Sequence, residues 1–442
     1  MELRIFRSSK GDCLLVSHPD NNGGNSHILI DGGMKTSFKD SVAGELHDLI
    51  SRNDEKIDLL CVSHIDDDHI VGVITLMELL TEWRIFKVRD QLDNPNITPP
   101  SLPEPPEIES IWHNSFAKSY DLGEDLPRVE QALHEVEQMT AGMDDEVLSR
   151  IHHKATSIKK GIILSQRINA KQLNIPLNPQ YEGNIVKCNQ RFVDKNVHHI
   201  GAMAITVIGP FTSDLNNLKE DWKKWEKAHR TELAEFFAGL NLETLNLQQD
   251  STQLRQLFTA SGTIHLDLGD REEVSIPNLA SIMFLVEAGN RSILMTGDGH
   301  ADDILKGLKK NKKLSNSESI HVDVLKIQHH GAEANIHEDF CKKVTADHYV
   351  FCGNGTHTNP EETVLDLIFN SRRGTGSEKS SNAEVDNPFT FWFSANPDDN
   401  LTAHQHEHLQ LVLNKMEEFM RLDAGFSVNF MPLGEEFQII QL

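Results

Sequence analysis

The chain of 442 residues reads as a layered α/β protein, and three observations lead there. Short apolar runs rich in β-branched residues recur along it, with stretches of helical spacing between them, as expected where helices cover sheets. Four of those runs stop at residues of metal-ligating type. Two long charged blocks of helical spacing within 124–260 have such ligand-bearing runs on both sides, so they read as insertions into one domain covering 1–442. No internal repeat of fixed period interrupts this pattern.

The elements come in order along the chain. Met1–Arg7 and Asp12–Ser17 alternate as strands, and His18–Ser26 (HPDNNGGNS) is a turn. The strand His27–Ile30 ends in Asp31-Gly32-Gly33. A helix is expected over Asp40–Asn53, then a buried strand over Ile57–Ser63 (IDLLCVS), then a helix over Gly72–Trp83. Asn94–Pro106 is a Pro-rich connector, and Ile108–Trp112 a short strand. Helical spacing fills Glu124–Ile168 and Leu215–Ala260, with a core strand between them at Met203–Gly209. Ser281–Glu287 and Ser292–Met295 form a hairpin through Ala288–Arg291. Helices at Ala301–Lys309, Glu338–Val344 and Pro360–Asn370 alternate with strands at Val322–Ile327 and His348–Cys352. The Gly/Ser/Lys composition after Ser371 predicts a mobile loop over 371–388. A strand at Phe389–Phe393, a long helix at His404–Leu422 and a terminal hairpin complete the chain.

Composition narrows the function classes. Hydrophobic residues make up 38% and charged residues 25%, as in ordinary globular proteins. No run approaches the roughly 18–20 apolar residues that span a bilayer. The first residues enter a strand without a signal-peptide hydrophobic region, so a cytoplasmic, membrane-free protein is expected. Five scattered cysteines, none in a C-x-x-C pair, argue against a disulfide framework and a thiolate zinc knuckle. The net charge of -25 argues against a general nucleic-acid-coating surface. It does not exclude a nucleic-acid enzyme, because bound divalent ions reverse the sign locally. The basic stretches Lys154–Lys171, Lys306–Lys313 and Arg372-Arg373 read as solvated faces more readily than as phosphate tracks.

The densest chemistry lies at His64-Ile65-Asp66-Asp67-Asp68-His69, directly after the Ile57–Ser63 run. Two imidazoles and three carboxylates in six residues repel or compete unless a cation or other partner is present. Three further apolar runs end similarly, in Asp31-Gly32-Gly33, in Thr296-Gly297-Asp298-Gly299-His300 and in His329-His330-Gly331. Singly, each is more readily a turn, a helix cap or a polar loop. Together they point to a metal centre.

These segments resemble the metallo-β-lactamase superfamily, whose usual motif is His-x-His-x-Asp-His. The resemblance implies an αββα sandwich carrying helical insertions and two divalent metal ions. By it, His64 and Asp66 serve the first metal, while Asp68 and His69 serve the second. Asp298 matches the bridging Asp, and one of His329 and His330 the terminal ligand, with His329 favoured. Two positions depart from the usual pattern. Asp66 stands where the second His is expected, and Asn278, within Pro277–Ser281, stands where the middle His normally lies. Both departures recur in the branch formed by the hydrolase domain of ComEC-type competence proteins and their soluble relatives. That branch shares Gly11-Asp12, the Leu29–Gly33 turn, Asn278-x-x-Ser281, Thr296–Asp298, Leu325–Gly331 and a stretch like Gly353–Pro360. The similarity covers roughly 1–90 and 200–370 of the chain.

The resemblance implies a metal-dependent phosphodiesterase, with DNA the favoured substrate and a two-metal hydroxide mechanism. Oxygen-rich coordination moves preference toward Mn²⁺ or Mg²⁺, with Zn²⁺ still accommodated. Two ions ~3.5–4 Å apart clamp the attacking and leaving oxygens of a phosphodiester. Asp68, His330 and His357 are the implied catalytic residues, and Asn278, Ser281 and Asn354 the implied substrate contacts. His357 is alternatively a cap for the helix expected at Pro360, and Asp67 a support behind the ligands. The insertions over the site suit a substrate lid, an inhibitory cover released by a protein partner or protease, or a dimerisation arm. Two rivals remain: a hydrolase of a small phosphoester or cyclic nucleotide, consistent with 6% aromatic residues and the acidic charge, and a partner-regulated binding module with a weakened metal site.

Overall fold

The computed structural model describes residues 1–20, 23–91, 98–114, 159–217, 271, 274–314 and 318–442. Its strands are, in chain order, β1 (Glu2–Phe6), β2 (Leu14–Pro19), β3 (Asn25–Ile30), β4 (Leu59–Cys61), β5 (Ile111–Trp112), β6 (Val197–Ile200) and β7 (Met203–Gly209). Next come β8 (Met283–Ala288), β9 (Arg291–Met295), β10 (Ile320–Lys326), β11 (Val344–Phe351), β12 (Phe389–Phe393), β13 (Phe426–Phe430) and β14 (Phe437–Gln441). One sheet has the order β14-β1-β2-β3-β4-β5 and the other β13-β12-β11-β10-β9-β8-β7-β6. Both are mixed: β3, β4 and β5 run parallel, as do β9 to β13, while the remaining neighbours are antiparallel.

The period-2 pleat explains why two sheets stack. In β3, Ile28 and Ile30 face the other sheet while Leu29 faces outward; in β4, Leu59 and Cys61 face inward and Leu60 outward. From the second sheet Met203, Ile205, Val207, Phe284 and Val286 fill the same inner layer. Each such side chain, removed from water, contributes about 1.5–3 kcal/mol before chain entropy is counted. Helices cover both outer faces. Over the first sheet lie α1 (35–49), α2 (Asp67–Asp90) and α3 (159–168). Over the second lie α4 (Ala301–Lys310), α5 (Glu338–Lys343), α6 (Glu362–Arg373) and α7 (Ala403–Leu422). The result is the αββα sandwich expected from sequence. Among the described residues no helix is long and apolar enough to cross a membrane, and all five cysteines are free and buried.

Two close approaches fix the edge where the ligand-type residues gather. A Cβ on Gly72 would lie 1.8 Å from the Gly32 carbonyl oxygen, so the Asp31-Gly32-Gly33 turn can touch α2 only through glycines. A Cβ on Gly11 would lie 1.7 Å from the Asp68 carbonyl oxygen, and Asp12 N–H donates to that same oxygen at 3.2 Å. The β1–β2 turn is thereby pressed onto the first turn of α2.

Three elements differ from expectation. Helix α2 spans 24 residues and starts at Asp67, so the acidic cluster forms its N-cap and first turn. The expected terminal hairpin does not form: β13 adds in parallel to β12, whereas β14 crosses to the other sheet and pairs antiparallel with β1. The stretch after Ser371 begins as the end of α6 and is held at several points. The buried Arg372 guanidinium donates to the Val385 carbonyl at 3.0 Å, and Asn382 Nδ2 donates to Thr345 Oγ1 at 2.7 Å. Of the helical insertions read over Glu124–Ile168 and Leu215–Ala260, only α3 and residues 215–217, the end of a short helix over 212–217, are among the described residues; the rest lie outside them.

Candidate metal centre

Every cluster singled out in the sequence except the His357 region lies deep at one edge of the sandwich, where parallel strands end. β3 delivers Asp31, β4 delivers His64, β9 delivers Asp298 and β10 delivers Lys326 and the His329-His330 pair. Asp298 is the hub. Its Oδ2 lies 3.4 Å from His69 Nε2, 3.6 Å from His64 Nε2, and 3.9 Å from both His329 Nε2 and His330 Nε2. Four imidazole nitrogens thus converge on one carboxylate oxygen, and His64 Nε2, His69 Nε2 and His330 Nε2 are buried without a hydrogen-bond partner. Buried polar atoms are normally paired, so orphaned nitrogens aimed at one point are a group that could hold a cation. The sets His64–His69–Asp298 and Asp12–His69–His330 each bring their ligand atoms within 4.8 Å of one another.

The ligand loop is shaped for this task. Asp66 is the N-cap of α2 but makes no side-chain cap hydrogen bond, so its carboxylate stays 3.7 Å from His64 Nε2. Asp68 Oδ2 lies 3.3 Å from His330 Nε2. Asp67 points away and pairs with Lys160 Nζ of α3 at 2.6 Å, so it joins the loop to the covering helix. Behind the ligands, Asp31 Oδ2 accepts from His69 Nδ1 at 2.9 Å and from Ser63 Oγ at 2.6 Å. A carboxylate on the far imidazole nitrogen fixes the tautomer and makes the near nitrogen a better ligand.

Of the two candidates for the terminal position, His330 lies deeper among the carboxylates than His329, the one favoured from sequence. His330 is buried, its Nδ1 lies 3.2 Å from Asp12 Oδ1, and its Nε2 faces Asp68 and Asp298. His329 is a third exposed; its Nδ1 is 2.7 Å from Asn335 Oδ1 and its Nε2 3.3 Å from Asn278 Nδ2. Both residues adopt left-handed backbone, with φ of 47° and 56°. That conformation costs non-glycine residues roughly 1–2 kcal/mol each, and it turns two adjacent rings toward one carboxylate.

The remaining expected residues divide. Asn278 sits against His329, with its Oδ1 buried and unpaired. Ser281 is fully buried behind the Asp298 turn, where its Oγ accepts from Asp298 N–H at 3.3 Å, and it does not line the cavity described next. A cavity of about 540 Å³ opens above the centre, walled by Asp66, Asp68, Asp298, His329 and His330 and, further out, by Lys10, Glu333, Asn354, His357 and Glu361. Asn354 and His357 therefore line it as well. His357 is exposed, and the N-cap of α6 is Glu361, so His357 does not cap that helix.

Sequence reasoning counted Asp31 among the strand-end clusters and Asp12 only as part of a shared motif, gave neither a role, and missed Lys326 altogether. Lys326 is 1% exposed, donates to the Gly297 carbonyl at 2.9 Å, pairs with Asp12 Oδ2, and lies 3.6 Å from Asp298 Oδ1. A charged residue inside the apolar run Val324–Ile327 was the available signal.

Electrostatics show the strain of so many ionisable groups. Burial, aided by His69, pushes the His64 imidazole down to about 3. Burial, with repulsion from Asp68 and Asp298, pushes the Asp66 carboxyl up to about 7. Burial would lower His330 too, but Asp298, Asp12 and Asp68 outweigh it and lift the ring to about 9. Burial opposes ionisation of Asp298, yet His69, His330, His329 and His64 hold it well below the usual carboxylate range. Protons here stand in for cations, and a divalent ion would displace them.

The fold, two facing mixed sheets with helices outside and ligands at strand ends, is that of the metallo-β-lactamases. In agreement, residues 10–82 match the family model described as the Metallo-beta-lactamase superfamily, a span that contains the whole His64–His69 cluster. No curated protein matches the chain. Among solved structures, Zn²⁺-bound PqqB from Methylobacterium extorquens aligns over 100% of both chains at 9% identity and a TM-score of 0.32, a likeness too distant to carry an argument.

Proposed function

We propose that this protein is a two-metal phosphodiesterase of the ComEC-like branch, acting on DNA. The observation that carries the metal-centre reading is the convergence of four imidazole nitrogens on Asp298 Oδ2, three of them buried and unpaired. His64 and Asp66 would hold one ion, Asp68, His69 and His330 the other, with Asp298 between them. The bound ions would supply Lewis-acid charge and an activated water at neutral pH. The protein's own groups do the rest. Asp31 and Asp12 orient the His69 and His330 rings from behind. His329, a third exposed and beside Asn278, is placed to meet a substrate oxygen and pass it a proton. Asp66 and Asn278 in place of imidazoles favour hard ions such as Mn²⁺, which suits a phosphodiester, whose negatively charged phosphate needs neutralising more than it needs an oxyanion hole.

A second reading, a small phosphoester or cyclic nucleotide as substrate, is favoured by the cavity itself. A half-enclosed space of about 540 Å³ with Glu333 and Glu361 on one wall fits a compact ligand better than a long polyanion. The deciding experiment compares Mn²⁺-dependent cleavage of linear DNA, circular DNA and bis-p-nitrophenyl phosphate by the wild type and Asp298→Ala. DNA cleavage that disappears in Asp298→Ala supports the nuclease; turnover of the small diester alone supports the second reading. If Asp298→Ala cleaves as well as the wild type, the proposed centre is not where the chemistry occurs.

A further inference from the structure

One buried charge has no task in that chemistry. Lys326 enters the centre from the last position of β10, on the side away from the cavity. Its Nζ is enclosed by three oxygens: Asp12 Oδ2, Asp298 Oδ1 at 3.6 Å and the Gly297 carbonyl at 2.9 Å. Two carboxylates and a carbonyl are the donor set of a hard-cation site. Here the cation is covalently part of the chain. The lysine also divides the work of Asp298, meeting Oδ1 while Oδ2 faces the four histidines.

Charge makes the arrangement meaningful. Asp12, Asp31, Asp66, Asp68 and Asp298 crowd one region, and Asp12, Asp31 and Asp298 are at most 2% exposed. Unpaired buried carboxylates cost several kcal/mol each, so a centre that relied on metal alone would resist folding until metal arrived.

We propose that Lys326 is a resident third cation of the metal centre, which takes over part of the metals' charge-neutralising role and lets the site assemble before they bind. It is a positioning residue: it touches Asp12 and Asp298, not the substrate. The proposal rests on the metal-centre reading of the Asp298 cluster, and it deepens that reading by adding a partner for the outer oxygen of Asp298.

The test is a thermodynamic cycle between the lysine and the metal. Melting temperatures of the full chain are measured in chelator and in saturating Mn²⁺ or Zn²⁺, for wild type, Lys326→Met and the charge-balanced double variant Asp12→Asn with Lys326→Met. If Lys326 and metal neutralise the same carboxylates, metal raises the melting temperature of Lys326→Met by several degrees more than that of the wild type, and the double variant returns toward the wild-type shift. A lysine that served only for packing would lower the melting temperature equally with and without metal. Equal metal-induced shifts in wild type and Lys326→Met therefore overturn the proposal. Should Lys326→Met fold only with metal while the double variant folds without it, the proposal stands in its strongest form. If neither variant folds even with metal, Lys326 is a packing element and the proposal fails. A wild type with no metal-induced shift would sink the metal-centre reading itself, a result distinct from the others.

Discussion

Asp298 and the two histidines of Gln328–Gly331 allow the sharpest residue-level tests. Since Asp298 Oδ2 is the shared contact of four rings, Asp298→Ala is expected to lose bound metal as well as activity, as elemental analysis of the purified variant will check. His330→Ala should also lose metal, whereas His329→Ala should keep most of it and lower kcat; the reverse pattern would restore the assignment made from sequence. Asp31→Asn keeps the shape but weakens the grip on His69 Nδ1, so metal affinity should fall ~10–100-fold, readable by chelator competition.

A residue away from the centre contributes to acid stability. His113 is buried at the end of β5, and burial pushes its imidazole from the ordinary 6.5 down to about 4, against the opposing pull of the Gly161 backbone. The neutral ring is thus the folded form. Its contribution is complete above pH 6.5 and is lost as pH falls toward 4, because the unfolded chain binds the proton first. The loss is on the order of 3 kcal/mol at most. Melting curves between pH 7.5 and 4 should fall less steeply for His113→Phe than for the wild type, and parallel curves would count against this account.

The cluster residues were legible because metal ligation demands particular side chains at strand ends. Asp12 and Lys326 were not. A single charged residue in a turn or strand has no spacing signature, and its meaning comes from what the opposite end of the chain brings near. Likewise, nothing in two adjacent histidines tells which ring faces inward once both take left-handed backbone.

At the scale of elements, strand and helix order tracks the apolar periodicity closely, and β7 and β12 match their expected spans throughout. The failures are informative. Helix α2 starts earlier than expected because Asp66 to His69 look like loop chemistry, although carboxylates are favoured at a helix N-terminus. The segments of β13 and β14, two short apolar runs with a turn between them, carry the local signature of a hairpin. Which sheet each joins is decided by open edges, and β1 offered one that β13 could not reach while pairing with β12. The glycine contacts make a prediction at this scale. Gly72→Ala forces a Cβ into the Gly32 backbone, which cannot yield as a flexible side chain would. Destabilisation of roughly 1–3 kcal/mol is expected, together with weaker metal binding, because α2 carries the ligands. Denaturant unfolding and metal titration of the same variant will show whether the two losses travel together.

For the molecule as a whole, the layered architecture was evident from alternating strands and helices, while the pairing of its first and last strands was not. That pairing is tight: Leu442 N–H donates to the Met1 carbonyl at 2.9 Å, and β14 lies along the full length of β1. Removing residues 432–442 should therefore uncover β1 along its free edge, and the shortened protein is expected to self-associate, as light scattering will reveal.

The spread of the ligands along the chain has a consequence for biosynthesis. His64, Asp68 and His69 leave the ribosome together, but Asp298 and His330 follow more than 200 residues later. Strand β14, which closes the sheet beside the turn that carries Asp12, follows later still. A nascent chain thus holds only half of the candidate centre until strands β9 and β10 have been made, and whatever chemistry the centre performs is withheld until then.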